Sequence, residues 1–253
     1  MSQNKISRFK AAAIHLCISA AIALAVFLTV RAVWYPGELF EGAGGLTLFL
    51  IVLAVDVTAC PLTTLVVFVQ GKKGLAFDLW VIALLQASFL VYGLFTLAES
   101  RPVFIGFVKD RFELVRANEI PDSVLDDARM NRYRDLPWLG PKLTGTRFPT
   151  DPDEKFKIMI SGMAGVDIQA YPKYHVPYDS VKAEAAAKGL SVKLLPKFNK
   201  GLTVEAIESR FGRKESELRY LPLRAGKADL TVILDAKTGD VLRYAAIKPW
   251  EYE

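Results

Sequence analysis

The stretch LFLIVLAVDVTACPLTTLVVF, Leu48 to Phe68, decides how the chain is read. It is long and apolar enough to cross a bilayer, yet Asp56 and Pro61 sit in its middle. A carboxylate in hydrocarbon is costly, and a proline removes one backbone N–H and one helical hydrogen bond. Two further apolar runs flank it. The expected crossings are residues 11–33, 46–69 and 76–97, each at or above the roughly 20 residues that a spanning helix needs.

The 253 residues are 52% hydrophobic, with mean hydropathy +0.24, too apolar for an ordinary soluble chain. Charge is sparse up to Ala98 and dense after it. The expected organisation is an α-helical membrane domain with three transmembrane helices over 1–98, then a small α+β extracytoplasmic domain over 99–253. The net charge of +5 alone would suit a nucleic-acid partner. Basic and acidic residues interleave after Ala98, however, and no helix face is uniformly basic, so no nucleic acid is expected. Cys17 and Cys60 both fall in apolar runs, and no CxxC or metal-type Cys/His spacing occurs. Neither a metal nor a cofactor is expected.

Orientation follows from the short loops. Lys5, Arg8 and Lys10 precede the first run, and Lys72 and Lys73 lie in the QGKKG link. The link WYPGELFEGAGG between the first two runs carries glutamates and no lysine or arginine. Positive loops stay cytoplasmic, so the N-terminus is expected inside and everything after the third crossing outside. Trp34 and Tyr35 are then expected at the outer interface. The first run is too long for a signal-peptide core, and VRAVWYP offers no A-x-A cleavage site, so a retained helix is expected.

Counting inward from the outer ends at 1.5 Å per residue puts Asp56 and Gln86 both about 15–17 Å deep. Equal depth on helices joined by a tight turn makes Gln86 the expected partner of Asp56. Thr58, Thr63 and Thr64 are placed to satisfy neighbouring groups, including a carbonyl freed by Pro61. Asp56 is read either as a grip on a transmembrane helix or as an ion relay. A relay needs more ionisable groups at depth; His15 is expected near the cytoplasmic end and Asp78 at the start of the third helix.

In the tail, Val103, Ile105 and Phe107 alternate as in a strand. PDSVLDDARMNRYRDLP (121–137) suggests a helix begun by Asp122 or Ser123, and KFKIMISGM (155–163) a strand or a helix start. YDSVKAEAAAKGL suggests a helix capped by Asp179 or Ser180 and ended by Gly189. TVEAIESRFG suggests one capped by Thr203 and stopped by Gly212. ADLTVILDAKTGDVLRYAAI (228–247) is the clearest hairpin, and a small C-terminal sheet is expected around it. Its DAKTGD lacks the terminal glutamate of a calcium loop and reads as a turn. GAGG (42–45) is a glycine-rich loop, and GMAG (162–165) lacks a P-loop lysine. YPKYHVPY (171–178), with His175, reads as a core cover or as a rigid recognition loop. No acid–base or nucleophilic cluster can be assembled, so an enzyme is not expected.

Three segments carry a family resemblance: VDVTACPLTTLVVF (55–68), GKKGLAFDLWVIALLQASFLVYGL (71–94) and RPVFIGFVKDRFELV (101–115). With the terminal KPW (248–250) they resemble the type IV pilin accessory proteins, TfpX/TfpZ, through Asp56, Pro61, Asp78, Gln86, Tyr92, Arg101, Pro102, Asp110, Arg111 and Phe112. Cys60 stands where the family pattern has glycine before the proline. The resemblance implies an inner-membrane helper for stability or assembly of a pilin, with type IV pilin (major or minor), other inner-membrane pilus assembly proteins and the lipid bilayer as partners. It also implies a use for Asp56. Pilins wait in that membrane on one apolar helix carrying a buried glutamate, which a polar pair at mid-depth would hold. The alternative is a subunit of an ion-driven transport complex with Asp56 as proton carrier.

Overall fold

The computed structural model describes residues 7–128, 131–226 and 228–251; Lys5 of the basic start lies outside them. Among the described residues, three helices are long and apolar enough to cross a membrane: α1 (Arg8–Val33), α2 (Gly45–Val67) and α3 (Leu75–Glu99). The chain forms two compact units, Met1–Ala32 with Gly45–Glu99, and Val33–Gly44 with Ser100–Glu253.

In the first unit α2 is not a uniform α-helix. Val55–Ala59 forms a π-turn directly ahead of Cys60 and Pro61. Proline cannot donate to the carbonyl four residues back, and the helix passes this point in the wider i to i+5 register. Thr58, Thr63 and Thr64 each bond the carbonyl one turn back, on Ala54, Ala59 and Cys60. The link between α2 and α3 turns on Gly71 and Gly74, both at positive φ. Asp78 lies inside the first turn of α3 and pairs with Lys72 at 2.7 Å instead of capping the helix.

The second unit is α+β, as expected, but its sheet is far larger than a C-terminal hairpin. The strands are β1 (Pro102–Val108), β2 (Arg111–Arg116), β3 (Lys142–Thr146), β4 (His175–Pro177), β5 (Leu190–Ser191), β6 (Leu218–Arg224), β7 (Leu230–Asp235) and β8 (Val241–Ala245). They form one eight-stranded sheet in the order β4-β3-β1-β2-β6-β7-β8, with β5 also on β6. β1 pairs parallel to β3 and β2 parallel to β6. Parallel partners need long crossovers, which is why the width of the sheet was hidden from local pattern. β1 is buried on both faces, so Phe104 is as enclosed as Val103, Ile105 and Phe107.

The helices of this unit are α4 (Asp122–Asp127), α5 (Pro152–Met163), α6 (Lys182–Lys188) and α7 (Val204–Phe211). α4 is shorter than expected and starts after Pro121, without a side-chain cap. Beyond it, Asn131 accepts the Tyr133 N–H and donates to Lys173 O, an Asx turn that competes with helix; Arg129 and Met130 lie outside the described residues. α6 is not capped by Asp179 or Ser180. Ser180 Oγ donates to Pro177 O within a short 3-10 turn, and Asp179 pairs with Lys182. The segment 155–163 is helix, within α5. α7 has the expected Thr203 cap and stops at Gly212, φ +65°.

The β7–β8 hairpin is as expected. Asp235 accepts the N–H groups of Lys237 and Thr238, and Gly239 takes φ +75° where a Cβ would stand 2.1 Å from Lys182 O.

The loop Val33–Gly44 is part of this unit. Tyr35, Leu39 and Phe40 are buried, and Tyr35 donates its hydroxyl to Ser100 O. The Tyr35 ring is therefore enclosed by protein, edge-on against Phe40. Arg116 reaches Ala43 O at 2.8 Å, Ala228 N donates to Gly42 O, and Glu38 pairs with Arg210.

Candidate functional site

The polar site of the first unit is built from all three of its long helices. His15 and Ser19 lie four apart on α1 and share one face. Gln86 of α3 meets both: His15 Nε2–H donates to Gln86 Oε1 at 2.6 Å, and Gln86 Nε2 donates to Ser19 Oγ at 2.8 Å. His15 Nδ1 lies 2.6 Å from Thr64 Oγ1 of α2, which is also 3.2 Å from Cys60 O.

Gln86 is thus occupied by His15 and Ser19, and the expected Asp56–Gln86 bond is absent. Asp56 and Gln86 do face one small cavity, but both ends of the Gln86 amide are already engaged. Asp56 is 6% exposed, and its Oδ1 has no hydrogen-bond partner. It lines a cavity of about 20 Å³ together with Ser19, Gln86, Phe49, Leu53 and Leu90, room for about one water. His15 also lines an apolar groove of about 340 Å³ with Ile14, Ile18, Phe68, Leu79 and Ile82. His15 and Ser19 were missed as site residues. Their i, i+4 spacing inside an apolar run was the available signal.

The other family positions serve different ends. Tyr92 is exposed on α3. Arg101 is buried, donates from Nε to Pro137 O at 3.1 Å, and stacks 3.9 Å from the Trp138 ring. Pro102 opens β1, at a register shift. Asp110 and Arg111 bond each other at the β1–β2 turn, where Lys109 takes φ +57°. Phe112 is fully buried against Phe107 and Tyr178.

His175 covers the core. It is 3% exposed, edge-on to Phe104, and its Nε2 donates to Gln169 O. Burial lowers its pKa to about 4 against that bond. Across the unit, a cleft of about 230 Å³ holds Glu113, Arg116, Glu119, Asp167 and Arg224. Burial pushes the Glu113 carboxyl up to about 7, against the pull of Arg224 and Arg111. On α5, Phe156, Met159, Ile160 and Met163 form an exposed apolar stripe at helical spacing. Among the described residues no group of three or more His, Cys, Asp or Glu could hold a metal ion.

These features define a protein with three bilayer-length helices, a polar network inside its helical unit, and a separate α+β unit with an apolar helix face left open. The chain is similar to two fimbrial assembly proteins of Dichelobacter nodosus. The serogroup E1 protein is 28% identical over 234 residues, 89% of this chain and 90% of that one. The serogroup I protein is 27% identical over the same shares. The model of the fimbrial assembly protein FimB family matches residues 3–37. These likenesses bear out the resemblance to a pilus accessory family. No solved structure matches the chain.

Proposed function

We propose that this chain is a non-enzymatic inner-membrane accessory protein of type IV pilus biogenesis, which assists pilin stability or assembly by holding pilin. The observation that carries this is the likeness, over nine-tenths of both chains, to proteins named for fimbrial assembly. The N-terminus and the Lys72/Lys73 turn face the cytoplasm, and the α+β unit is periplasmic. Pilin is held at two places. In the bilayer, the groove beside His15 takes an apolar helix, and Asp56, buried at a separate small cavity of the same bundle, meets a polar group on that helix when the three helices part. Outside, the Phe156–Met163 stripe faces the pilin head; methionine-rich surfaces adapt to varied partners.

The test is made in the native host. The gene is deleted, then complemented with wild type or Asp56→Leu, and total pilin is measured beside sheared surface pili. Fewer surface pili at normal pilin level gives an assembly role, and loss of both gives pilin stabilisation. No change in either rejects the proposal.

A second reading is favoured by one observation, the ionisable His15 within the polar network. In that reading the chain is a subunit of an ion-driven transport complex with Asp56 as proton carrier. It requires Asp56→Asn to abolish function while partner binding persists; the holding role requires binding to weaken with function.

A further inference from the structure

Leu139 is 89% exposed, more than any other large apolar side chain among the described residues, and Trp138 beside it is 61% exposed. Both belong to the Pro137–Gly140 loop, and that loop is not loose. Trp34 Nε1–H donates to Trp138 O at 2.9 Å, across 104 positions of sequence. Arg101 Nε–H donates to Pro137 O, and the Arg101 guanidinium lies against the Trp138 ring. Gly140 takes φ +91°, and a Cβ there would stand 2.9 Å from Val33 O. A side chain at position 140 would push the loop off Val33.

The residues that hold the loop share one property. Val33 is the last residue of α1, Trp34 follows it, and Arg101 is the second residue after α3. The loop is therefore pinned to the points where two bilayer-length helices end. Those ends lie at the headgroup level if the helices span, and tryptophan collects there because its ring is apolar with one polar N–H. A neighbouring leucine so fully exposed is unfavourable in water and favourable in the upper acyl region.

We propose that Pro137–Gly140 is a lipid-docking loop. Trp138 and Leu139 enter the interfacial layer of the leaflet in which α1 and α3 end, and Arg101 fixes the Trp138 ring for that contact. The occupant is lipid, not a protein partner. The inference rests on the membrane-spanning part of the proposed function, though not on pilin.

The experiment uses the full chain with Cys17→Ser and Cys60→Ala, in nanodiscs of phosphatidylethanolamine and phosphatidylglycerol without pilin. Single nitroxides are placed at Leu139→Cys, at Phe89→Cys in mid-α3, and at Lys188→Cys on the exposed end of α6. Accessibility to oxygen and to a water-soluble nickel chelate is measured at each. The expected result is an oxygen-to-nickel ratio at Leu139→Cys several-fold above that at Lys188→Cys and on the side of Phe89→Cys. A lipid-like Phe89→Cys with a Leu139→Cys matching Lys188→Cys overturns the docking loop alone, and leaves the face to a protein partner. An aqueous Phe89→Cys overturns the spanning helices, and the loop proposal with them.

Discussion

His15 Nε2–H donates to the side-chain carbonyl of Gln86 at 2.6 Å, joining residues 71 positions apart on the first and third long helices. With Thr64 and Ser19 it links all three helices through side chains that each find a partner. Single hydrogen bonds inside membrane bundles are worth about 0.6 kcal/mol and reach about 1.7. His15→Leu breaks two and strands Gln86 Oε1, so it is expected to cost about 1–2 kcal/mol in detergent-induced unfolding followed by circular dichroism. Tyr92→Leu, at an exposed position, should cost nothing measurable by the same assay.

Asp56 behaves oppositely. A buried polar atom without a partner lowers stability, and an apolar replacement of similar shape is neutral or stabilising. Asp56→Leu is therefore expected to leave the bundle as stable as wild type or more so, while pilin retention falls. A loss above about 1 kcal/mol would show that the carboxyl is satisfied in the folded protein.

The α5 stripe gives a prediction independent of the membrane. Met159→Lys with Met163→Lys changes only exposed positions, where substitutions alter stability by roughly 0.5 kcal/mol or less. Co-purification with pilin should drop several-fold with unchanged unfolding. Equal recovery from wild type and variant would remove the stripe from the binding surface.

His175 and Glu113 set opposing pH dependences. The folded pKa of His175, about 4, lies below its ordinary 6.5, so the unfolded chain binds the extra proton between those values, and this contribution to stability rises with pH. Glu113, raised from 4.5 to about 7, holds its proton in the folded state, so its contribution falls as pH rises across that window. Each shift corresponds to about 3 kcal/mol, and between pH 4.5 and 6.5 the two nearly cancel. Glu113→Gln should unmask the His175 slope, with stability climbing about 1 kcal/mol per pH unit from pH 4.5 to 6.5. Urea unfolding at several pH values checks this, and a flat variant profile would contradict it.

Gly239→Ala tests the hairpin turn. The left-handed backbone and the 2.1 Å approach to Lys182 O together predict a loss of about 3 kcal/mol or more, read as a lower urea midpoint.

Much of this architecture was legible because its signals are local. Apolar length gave α1, α2 and α3, Thr203 and Gly212 bracketed α7, and the DAKTGD turn marked the β7–β8 hairpin. The sheet was not legible, because the β2–β6 pairing joins Phe112 to Leu223 with no pattern linking them. Asp56 stood out as a carboxylate in an apolar run, yet its assumed partner Gln86 turns to His15. Depth can be counted along a sequence, but it does not show that His15 and Ser19 of the first helix compete for the same amide.

The Val33–Gly44 loop has a consequence for how the protein is made. It leaves the ribosome well before the strands it packs on, and Leu230, against which Gly42 sits, comes 188 residues later. At bacterial elongation speeds of 5–20 residues per second that delay is roughly 10–40 s. Until the last of those strands is made, Tyr35, Leu39 and Phe40 have only part of their core to enter. A protein cut to begin at Ser100 would lack these side chains for good, and should be recovered only as aggregate.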